Sequence, residues 1–239
     1  MSVTMDDVVV ATSLSPRQMA RQAAAMSSWR DAGFTVVSLN VGAEAEALRR
    51  EPARPDLPIV TIDVDGFYGK PLPRVDDFIR YFRSLDRPYR YFGIINSDIA
   101  LAEGESLREA LRRETAALVF GRRTDVADFA DAGGSPFENG YDYFFMSPEA
   151  VATLPESRFR IGAPWWDYWV PVVQLTAGRR AVQLPPSVVR HVRHGIAWNE
   201  AMLNEMGAHF VERLLAMPHS ELLNAATAEL LYKRTIRHL

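Results

Sequence analysis

The most informative absence in this 239-residue sequence is that of cysteine. Without thiols the chain has no disulfide, no cysteine nucleophile and no Cys-ligated zinc or iron–sulfur site. The sequence also lacks an apolar run of transmembrane length and the basic-then-apolar start of a signal peptide, so we expect a cytoplasmic protein without a transmembrane segment. Since the net charge is −3, we do not expect nucleic acid as a partner.

Three common motifs are missing as well. No Gly-x-Gly-x-x-Gly opens the first predicted helix, no Walker-type Gly-Lys-Ser/Thr loop occurs, and there is no Gly-x-Ser-x-Gly elbow. A dinucleotide cofactor, a P-loop and an α/β-hydrolase nucleophile are therefore not predicted. The remaining composition, 48% hydrophobic and 24% charged, is typical of an ordinary globular domain.

What the sequence does contain is an alternation of strand and helix patterns. Apolar runs at 7–11, 34–39 and 57–62 are separated by segments with helical spacing, which predicts parallel strands joined by right-handed crossovers. We expect the first helix to start with Ser15 as its N-cap and Pro16 at its first position. The predicted fold class is α/β, with a mostly parallel central sheet flanked by helices.

The pattern changes after residue 125. The chain up to that point is typical of one doubly wound half, whereas 126–198 contains short aromatic strands and loops rich in Gly, Ser and Pro. Two amphipathic helices, at about 200–216 and 220–236, are predicted to form an extension over 199–239 that packs on the same domain. The apolar stripe of the second helix would also suit a homodimer.

The clearest candidate for a ligand site is the stretch 91–101. Its start, 91–95, predicts a buried strand of a parallel sheet, and Asn96, Ser97 and Asp98 interrupt the apolar run where that strand ends. Polar residues at this end of a strand face the crevice where α/β sheets bind ligands, and a carboxylate there can hold a divalent cation carrying a phosphorylated substrate. An ordinary Asx-type turn is the alternative.

A second carboxylate lies in the densest aromatic segment, 164–169. Asp167 is preceded there by Trp165 and Trp166, and partial desolvation by these rings would suit a general base. In the alternative interpretation, Asp167 caps the helix that follows and the tryptophans belong to the core.

Two histidines, His191 and His194, could complete a metal site or contact a phosphate. They lie three residues apart, next to Arg190 and Arg193. A solvated basic strand or loop is therefore the alternative interpretation of this segment.

Taken in order, these segments resemble a GT-A type glycosyltransferase, the nucleotide-diphospho-sugar transferase fold, over residues 8–198. The pieces that carry the resemblance are Thr12-Ser13-Leu14-Ser15-Pro16 at the nucleotide-binding start, Asn96-Ser97-Asp98 in the place of the family's Asp-x-Asp, Gly140-Tyr141-Asp142-Tyr143-Phe144 as the acceptor-side strand, Trp165-Trp166-Asp167 as the Trp-rich acidic segment, and His194 as the late histidine. Asn96 departs from the family pattern, because an amide replaces the first carboxylate of Asp-x-Asp.

The resemblance implies a single domain over 1–198, with a nucleotide-binding half at 1–125 and an acceptor-side half at 126–198. It implies transfer of a sugar from a nucleoside-diphosphate sugar to an acceptor glycan or small molecule, with inversion weakly favoured. A divalent cation, Mn²⁺ or Mg²⁺, held by Asp98 and His194 would neutralise the departing diphosphate.

The resemblance also assigns expected roles to individual residues. Asp167 would be the catalytic base, with Asp142 as the competing carboxylate, and Trp165 or Trp166 would offer an apolar face to the acceptor. The expected donor-binding residues are Thr12, Ser13, Asn40, Lys70, Asn96, Ser97 and Asp98.

Two other functions remain open at this stage. A nucleotidyltransferase that makes sugar nucleotides shares this kind of sheet, but it should have a Gly-rich, basic loop after the first strand, and the segment 12–17 is not such a loop. A non-catalytic domain that binds a nucleotide sugar or a carbohydrate is the other alternative, because Asn96 weakens the metal motif.

Overall fold

The computed structural model describes residues 7–217, except 103, 132, 196 and 197. The helix predicted at 220–236 and its apolar stripe lie outside the described residues. Within that part of the chain, no helix combines the length and the apolar character needed to cross a membrane. The strands of this part, β1–β11 in chain order, are Val8–Thr12, Thr35–Val41, Ile59–Ile62, Tyr91–Ile95, Ile99–Leu101, Leu118–Gly121, Thr124–Val126, Ser135–Pro136, Tyr143–Met146, Ala181–Leu184 and Val189–Val192. Its α-helices, α1–α7 in chain order, are Met19–Asp31, Gly42–Arg50, Val75–Arg83, Gly104–Arg113, Pro148–Thr153, Trp166–Thr176 and Glu200–Leu215.

The main sheet has seven strands in the order β10–β6–β9–β4–β1–β2–β3. Neighbouring strands in it are parallel, except that β9 is antiparallel to both β4 and β6. The predicted α/β class with a mostly parallel sheet is therefore confirmed. Both β1 and β4 are buried along their whole length, which explains why they read as continuous apolar runs. The predicted division at residue 125 stays a prediction.

Helices cover both faces of this sheet, and β1 shows how alternation supplies the two cores. Val9 belongs to the hydrophobic cluster that contains Phe78 of α3 and Trp169 of α6. Its neighbour Val10 belongs to the cluster on the other face, which contains Trp29 of α1. Successive side chains of a strand point to opposite faces, so a central strand with apolar residues throughout joins two layers of helices.

The first helix begins later than predicted. It starts at Met19, and its N-cap residue is Gln18, which has a left-handed φ of 55°. Gln22 holds the preceding loop, because its side chain accepts a hydrogen bond from Ser15 N and donates one to the Ser15 carbonyl oxygen. The prediction that Ser15 caps this helix with Pro16 at its first position was therefore wrong.

A second sheet of four strands, in the order β5–β11–β7–β8, was not predicted. Strands β5 and β7 have three residues each and β8 has two, which is too short for a hydrophobic period to show. Strand β11 lies between β5, to which it is antiparallel, and β7, to which it is parallel. Since only residues 96–98 separate β4 from β5, this small sheet starts at the carboxyl end of the main sheet.

His209 on α7 provides a pH-dependent test of this fold. Its ring is buried against Phe159, and its Nε2 accepts a hydrogen bond from Arg158 N. Burial lowers the pKa of His209 below its ordinary value of 6.5, because the charged ring would be poorly solvated. The unfolded chain therefore binds this proton at a higher pH than the folded protein does, so the free energy of unfolding should fall as the pH drops below about 6.5.

We expect His209→Gln to lose less of this free energy on acidification than the wild type. The difference between the free energies of unfolding at about pH 7.5 and about pH 5.5, measured by urea titration, reports the effect. An identical difference in the two proteins would contradict the assignment to His209.

Candidate functional site

The chain turns sharply between β4 and β5. Ile99 N donates a hydrogen bond to the Asn96 carbonyl oxygen over 3.1 Å, and Asn96 N donates to the Asp142 carbonyl oxygen over 3.1 Å. These bonds fix the backbone of the segment 96–98 at the end of the main sheet. The segment is thus a backbone turn, and it presents Asp98 at the entrance to the small sheet.

The register of the small sheet brings residues from three distant segments together. His191 of β11 pairs with Ile99 of β5 on one side and with Asp125 of β7 on the other. Its Nδ1 lies 2.9 Å from Asp125 Oδ1, and its Nε2 lies 3.2 Å from Oδ2 of Asp98, the residue before Ile99. The buried ring of His191 therefore lies between two carboxylates.

His194 completes a cluster of three potential metal ligands. Its Nε2 lies 2.8 Å from Asp98 Oδ2 and 3.0 Å from His191 Nε2. Among the described residues, these three side chains form the group with metal-ligand spacing. Because His191 is buried, Asp98 half-buried and His194 exposed, the cluster is open to solvent on one side.

The outer contacts of the two histidines favour a hydrogen on Nδ1 of each ring. His191 Nδ1 faces the Asp125 carboxylate, and His194 Nδ1 lies 2.8 Å from the Gly195 carbonyl oxygen. Both partners only accept hydrogen bonds, so a hydrogen on each Nδ1 satisfies them, while the Asp98 carboxylate at the two Nε2 atoms also only accepts. With the hydrogens on Nδ1, both Nε2 lone pairs point with Asp98 Oδ2 at one place, and three acceptors without a donor repel one another. In that tautomer the cluster needs a cation, either a metal ion or a further proton on a ring.

The spacing of the three acceptor atoms fits a metal ion. Ligand atoms bound at right angles with bonds of about 2.0–2.2 Å lie about 3 Å apart. The three distances within the cluster are 2.8, 3.0 and 3.2 Å, so the atoms can occupy one triangular face of a coordination octahedron. A histidine that donates its other ring N–H to a carboxylate or carbonyl is the usual arrangement around bound metals.

The pKa shifts of Asp98 and His194 also favour positive charge in the cluster. Burial alone would raise the pKa of Asp98. Without a metal ion, however, Nε2–H groups of His191 and His194 can donate hydrogen bonds to its carboxylate, which outweighs burial and holds that pKa well below its ordinary range. The hydrogen bond to Asp98 raises the pKa of His194. The site therefore keeps Asp98 ionised and favours positive charge beside it.

A hydrogen-bonded network extends the cluster towards β9. Arg123 Nε donates to Asp125 Oδ1 over 2.8 Å, and its Nη1 donates to Asp142 Oδ1. Asn96 Nδ2 donates to the same Asp142 oxygen over 3.3 Å. Two carboxylates thus share one guanidinium, and the nearby Asp98 adds a third negative charge, so a divalent cation would neutralise the excess.

Asp142, one of the two predicted bases, is covered by the protein. It is 2% exposed, and its Oδ2 has no hydrogen-bond partner among the described residues. Burial raises the pKa of this carboxyl group, while the neighbouring Arg123 counteracts the rise. In this conformation Asp142 holds Arg123 and Asn96 in place.

Asp167, the other predicted base, lies in the first turn of α6. The N-cap residue of that helix is Trp165, so the interpretation of Asp167 as an N-cap does not hold. The half-buried Asp167 carboxylate instead accepts a hydrogen bond from Tyr141 N over 3.2 Å. This approach requires glycine at 140, because a Cβ on Gly140 would lie 2.5 Å from Asp167 Oδ2. Since Tyr143 pairs with Ile95 of β4, Asp167 lies near the same end of the main sheet as Asp98.

Both tryptophans predicted to contact the acceptor are buried. Trp166 is 3% exposed and packs on Phe144 of β9, and Trp165 is 6% exposed and packs on Phe210 of α7. Trp165 adopts a left-handed φ of 76°, and its Nε1 donates to the Leu203 carbonyl oxygen over 3.0 Å. The rings anchor the start of α6 and thereby place Asp167, whereas their role at an acceptor stays a prediction.

The polar residues at the ends of β1 and β2 bond to each other and to neighbouring strands. Thr12 Oγ1 donates to the Ile95 carbonyl oxygen over 2.7 Å, and the buried Asn40 donates to the Leu14 carbonyl oxygen over 2.7 Å. Ser13 Oγ lies 3.4 Å from Asn40 Nδ2. These bonds shape the strand ends, and the predicted donor contacts of Thr12, Ser13 and Asn40 stay predictions.

Two further predicted donor contacts also stay predictions. Lys70 lies in a tight turn of the loop after β3, where its backbone pairs with Phe67. Ser97 is half-buried in the turn after β4. The same loop after β3 contacts α7, because the Tyr68 hydroxyl donates to Glu205 Oε2 over 2.7 Å.

Arg123 and Asp125 were not predicted as site residues. Both follow the buried strand β6, which neighbours β9 in the main sheet, just as Asp98 follows β4. The signal that identified Asp98, charged residues directly after an apolar strand, was therefore present here too.

Comparison with known proteins supports the fold. No protein-family profile and no curated protein sequence matches the chain. Among solved structures, TarS from S. aureus in complex with UDP-GlcNAc matches with a TM-score of 0.59 and 12% identity, over 94% of this chain and 71% of that one.

Two other solved structures are similar at lower TM-scores. A proposed nucleotide-diphospho-sugar transferase from Desulfovibrio desulfuricans G20 matches with a TM-score of 0.47 and 11% identity, over 96% of this chain and 98% of its own. The 4-diphosphocytidyl-2C-methyl-D-erythritol synthase from Anaerococcus prevotii matches with a TM-score of 0.48 and 8% identity, over 82% of this chain and 95% of its own. The likeness to TarS shows that this chain has the nucleotide-diphospho-sugar transferase fold, as the sequence resemblance predicted.

Proposed function

We propose that this protein transfers a sugar from a nucleoside-diphosphate sugar to an acceptor hydroxyl, with a divalent cation held by Asp98, His191 and His194. The observation that carries the proposal is the convergence of three acceptor atoms within 3.2 Å of one another at the ligand-binding end of the sheet. In this fold, that end of the sheet is where a phosphorylated ligand binds.

The chemistry of the three ligands indicates which ion would bind. Mg²⁺ takes oxygen ligands, so two imidazoles beside one carboxylate favour a transition-metal ion over Mg²⁺. Mn²⁺ is the transition-metal ion that we test. When bound, the ion would supply the positive charge that stabilises the departing diphosphate. The protein keeps the ligands ready for it, because hydrogen bonds to Asp125 and the Gly195 carbonyl orient both imidazoles.

The donor is proposed to lie across the ends of β1, β2 and β4. Thr12, Ser13 and Asn40 would line the nucleoside pocket through the loop that they hold together, and Lys70 would approach the phosphates as a point charge. Uridine nucleotides are the first donors to test, because TarS, which has this fold, was crystallised with UDP-GlcNAc.

Asp167 is the proposed general base for the acceptor hydroxyl. It is half-buried and therefore within reach of a ligand, whereas Asp142 is 2% exposed. A carboxylate on the acceptor side that takes the hydroxyl proton lets the acceptor attack opposite the leaving diphosphate, so the arrangement favours inversion.

The first experiment is a binding panel on the wild-type protein. UDP, GDP, CDP and dTDP are added, each with and without Mn²⁺ or Mg²⁺, and the melting temperature is followed. We expect one nucleotide to raise it in the presence of Mn²⁺, by about 5–10 °C at a ligand concentration about 100 times Kd. Calorimetry with the same pairs gives the affinities.

Release of the nucleoside diphosphate from the matching sugar donor then tests for catalysis. Metal-dependent release that is faster with an acceptor supports transfer. Binding without any release would identify a nucleotide-sugar-binding domain, and formation of a sugar nucleotide from a nucleoside triphosphate would identify a nucleotidyltransferase. Either result, or no response to any nucleotide, would overturn the proposed activity.

A further inference from the structure

The contact between Asp125 and His191 lies behind the three-ligand cluster, away from the open side. The carboxylate of Asp125 is 17% exposed and the ring of His191 is 5% exposed. Asp125 Oδ1 is 2.9 Å from His191 Nδ1, the nitrogen that does not face Asp98. Asp125 therefore touches the cluster only through His191.

Arg123 fixes the position of Asp125. Its Nε donates to Asp125 Oδ1 over 2.8 Å, the same oxygen that faces His191. The guanidinium is itself held on two further sides, by Asp142 and by the ring of Phe137, whose centroid lies 3.9 Å from its central carbon. The oxygen that meets His191 is thus bound from two directions and has little freedom to turn away.

The choice of tautomer at His191 decides whether the cluster can accept a cation. With the hydrogen on Nδ1, the Nε2 lone pair faces Asp98. With the hydrogen on Nε2, that N–H would donate to Asp98 Oδ2 or to His194 Nε2 and would block the site. Only the first form can bond to Asp125, because an ionised carboxylate accepts and never donates.

We propose that Asp125, held by Arg123, is a positioning residue that fixes the His191 hydrogen on Nδ1 and so keeps Nε2 available to a metal ion. The inference rests on the metal site of the proposed function, but it does not depend on sugar transfer. An outer partner of this kind typically contributes about 10–100-fold to metal affinity.

The test compares Asp125→Ala with Asp125→Asn. Alanine removes the acceptor, whereas asparagine keeps an oxygen that can accept from both His191 and Arg123. Asp65→Ala is the control, because the Asp65 carboxylate is 90% exposed and pairs with Arg74 outside this network. Mn²⁺ alone is the ligand, and its affinity is measured by electron paramagnetic resonance of the free ion. The tautomer of each histidine is read from long-range ¹H–¹⁵N spectra of the metal-free protein at a pH where the rings are neutral.

We expect wild type, Asp65→Ala and Asp125→Asn to show the Nδ1–H form at His191. We expect Asp125→Ala to show a mixture of tautomers and a Mn²⁺ affinity about 10–100-fold lower. An unchanged tautomer in Asp125→Ala would overturn the inference even if the variant were less stable. If the wild type bound no Mn²⁺, the metal site would fail, but the tautomer comparison would still decide the role of Asp125.

Discussion

Replacing Asp98 with asparagine should abolish metal-dependent nucleotide binding. Asp98 Oδ2 is the atom that both histidines face, at 2.8 and 3.2 Å, so the loss of its charge removes the centre of the cluster. The asparagine amide can also donate a hydrogen bond to a histidine, which fills the place of the cation. Loss of a residue that only orients a ligand typically lowers metal affinity about 10–100-fold. Asp98 is itself a ligand, so we expect its replacement to lower Mn²⁺ affinity by more than that.

Calorimetry with Mn²⁺, followed by the responsive nucleoside diphosphate, measures this effect. Transfer should fall at least in proportion, because the ion stabilises charge that develops as the diphosphate leaves. Asp65→Asn is a matched control, since that carboxylate is exposed and pairs with Arg74. Wild-type Mn²⁺ affinity in Asp98→Asn would contradict the assignment of Asp98 as a ligand.

The sequence alone led to Asp98 because strand β4 is buried on both faces. A strand of that kind appears as an uninterrupted apolar run, and the three polar residues that end it are conspicuous. The general rule for parallel sheets then places them at the ligand crevice without further information. Apolar runs and helical spacing likewise predicted the alternation of the longer strands and helices of the main sheet.

The partners of Asp98 could not be fixed in the same way. His191 and His194 lie more than ninety positions along the chain, and the sequence left open which of them would face Asp98. The register of the small sheet determines which side chains face Asp98, and two strands of that sheet, β5 and β7, have three residues each. A segment of that length has no detectable hydrophobic period, so its pairing is set by tertiary context.

For the aromatic residues around Asp167, the sequence shows which side chains lie together but not whether they are buried. The sequence shows that Trp165 and Trp166 flank a carboxylate, and it cannot distinguish a sugar-stacking surface from a core. The structure buries both rings, and Trp165 bonds to α7, a helix that begins more than thirty residues later. Burial of this kind depends on which helices meet, so it follows from the fold and not from local composition.

Replacing Asp167 with asparagine should reduce transfer without weakening donor binding. Asparagine keeps an oxygen that can accept the Tyr141 N–H, so the segment that Asp167 holds should stay in place. It cannot take a proton from an acceptor hydroxyl. Loss of a general base typically costs about 10²–10⁴-fold, so we expect a fall of that order in the transfer rate, with unchanged Mn²⁺ and nucleotide affinities.

Asp142→Ala separates the two candidate bases, because stability and activity should respond differently. Asp142 and Arg123 form a pair whose side chains are 4% and 16% exposed, and Asp125 remains as a second partner of Arg123. Removing Asp142 should therefore cost about 1–3 kcal/mol, the penalty of buried donors that lose their acceptor. We therefore expect Asp142→Ala to unfold at a markedly lower urea concentration, whereas Asp167→Asn should unfold close to the wild type. If Asp142→Ala kept wild-type stability and lost transfer, while Asp167→Asn remained active, the base would be Asp142, and the acceptor would have to reach a carboxylate that the protein covers in this conformation.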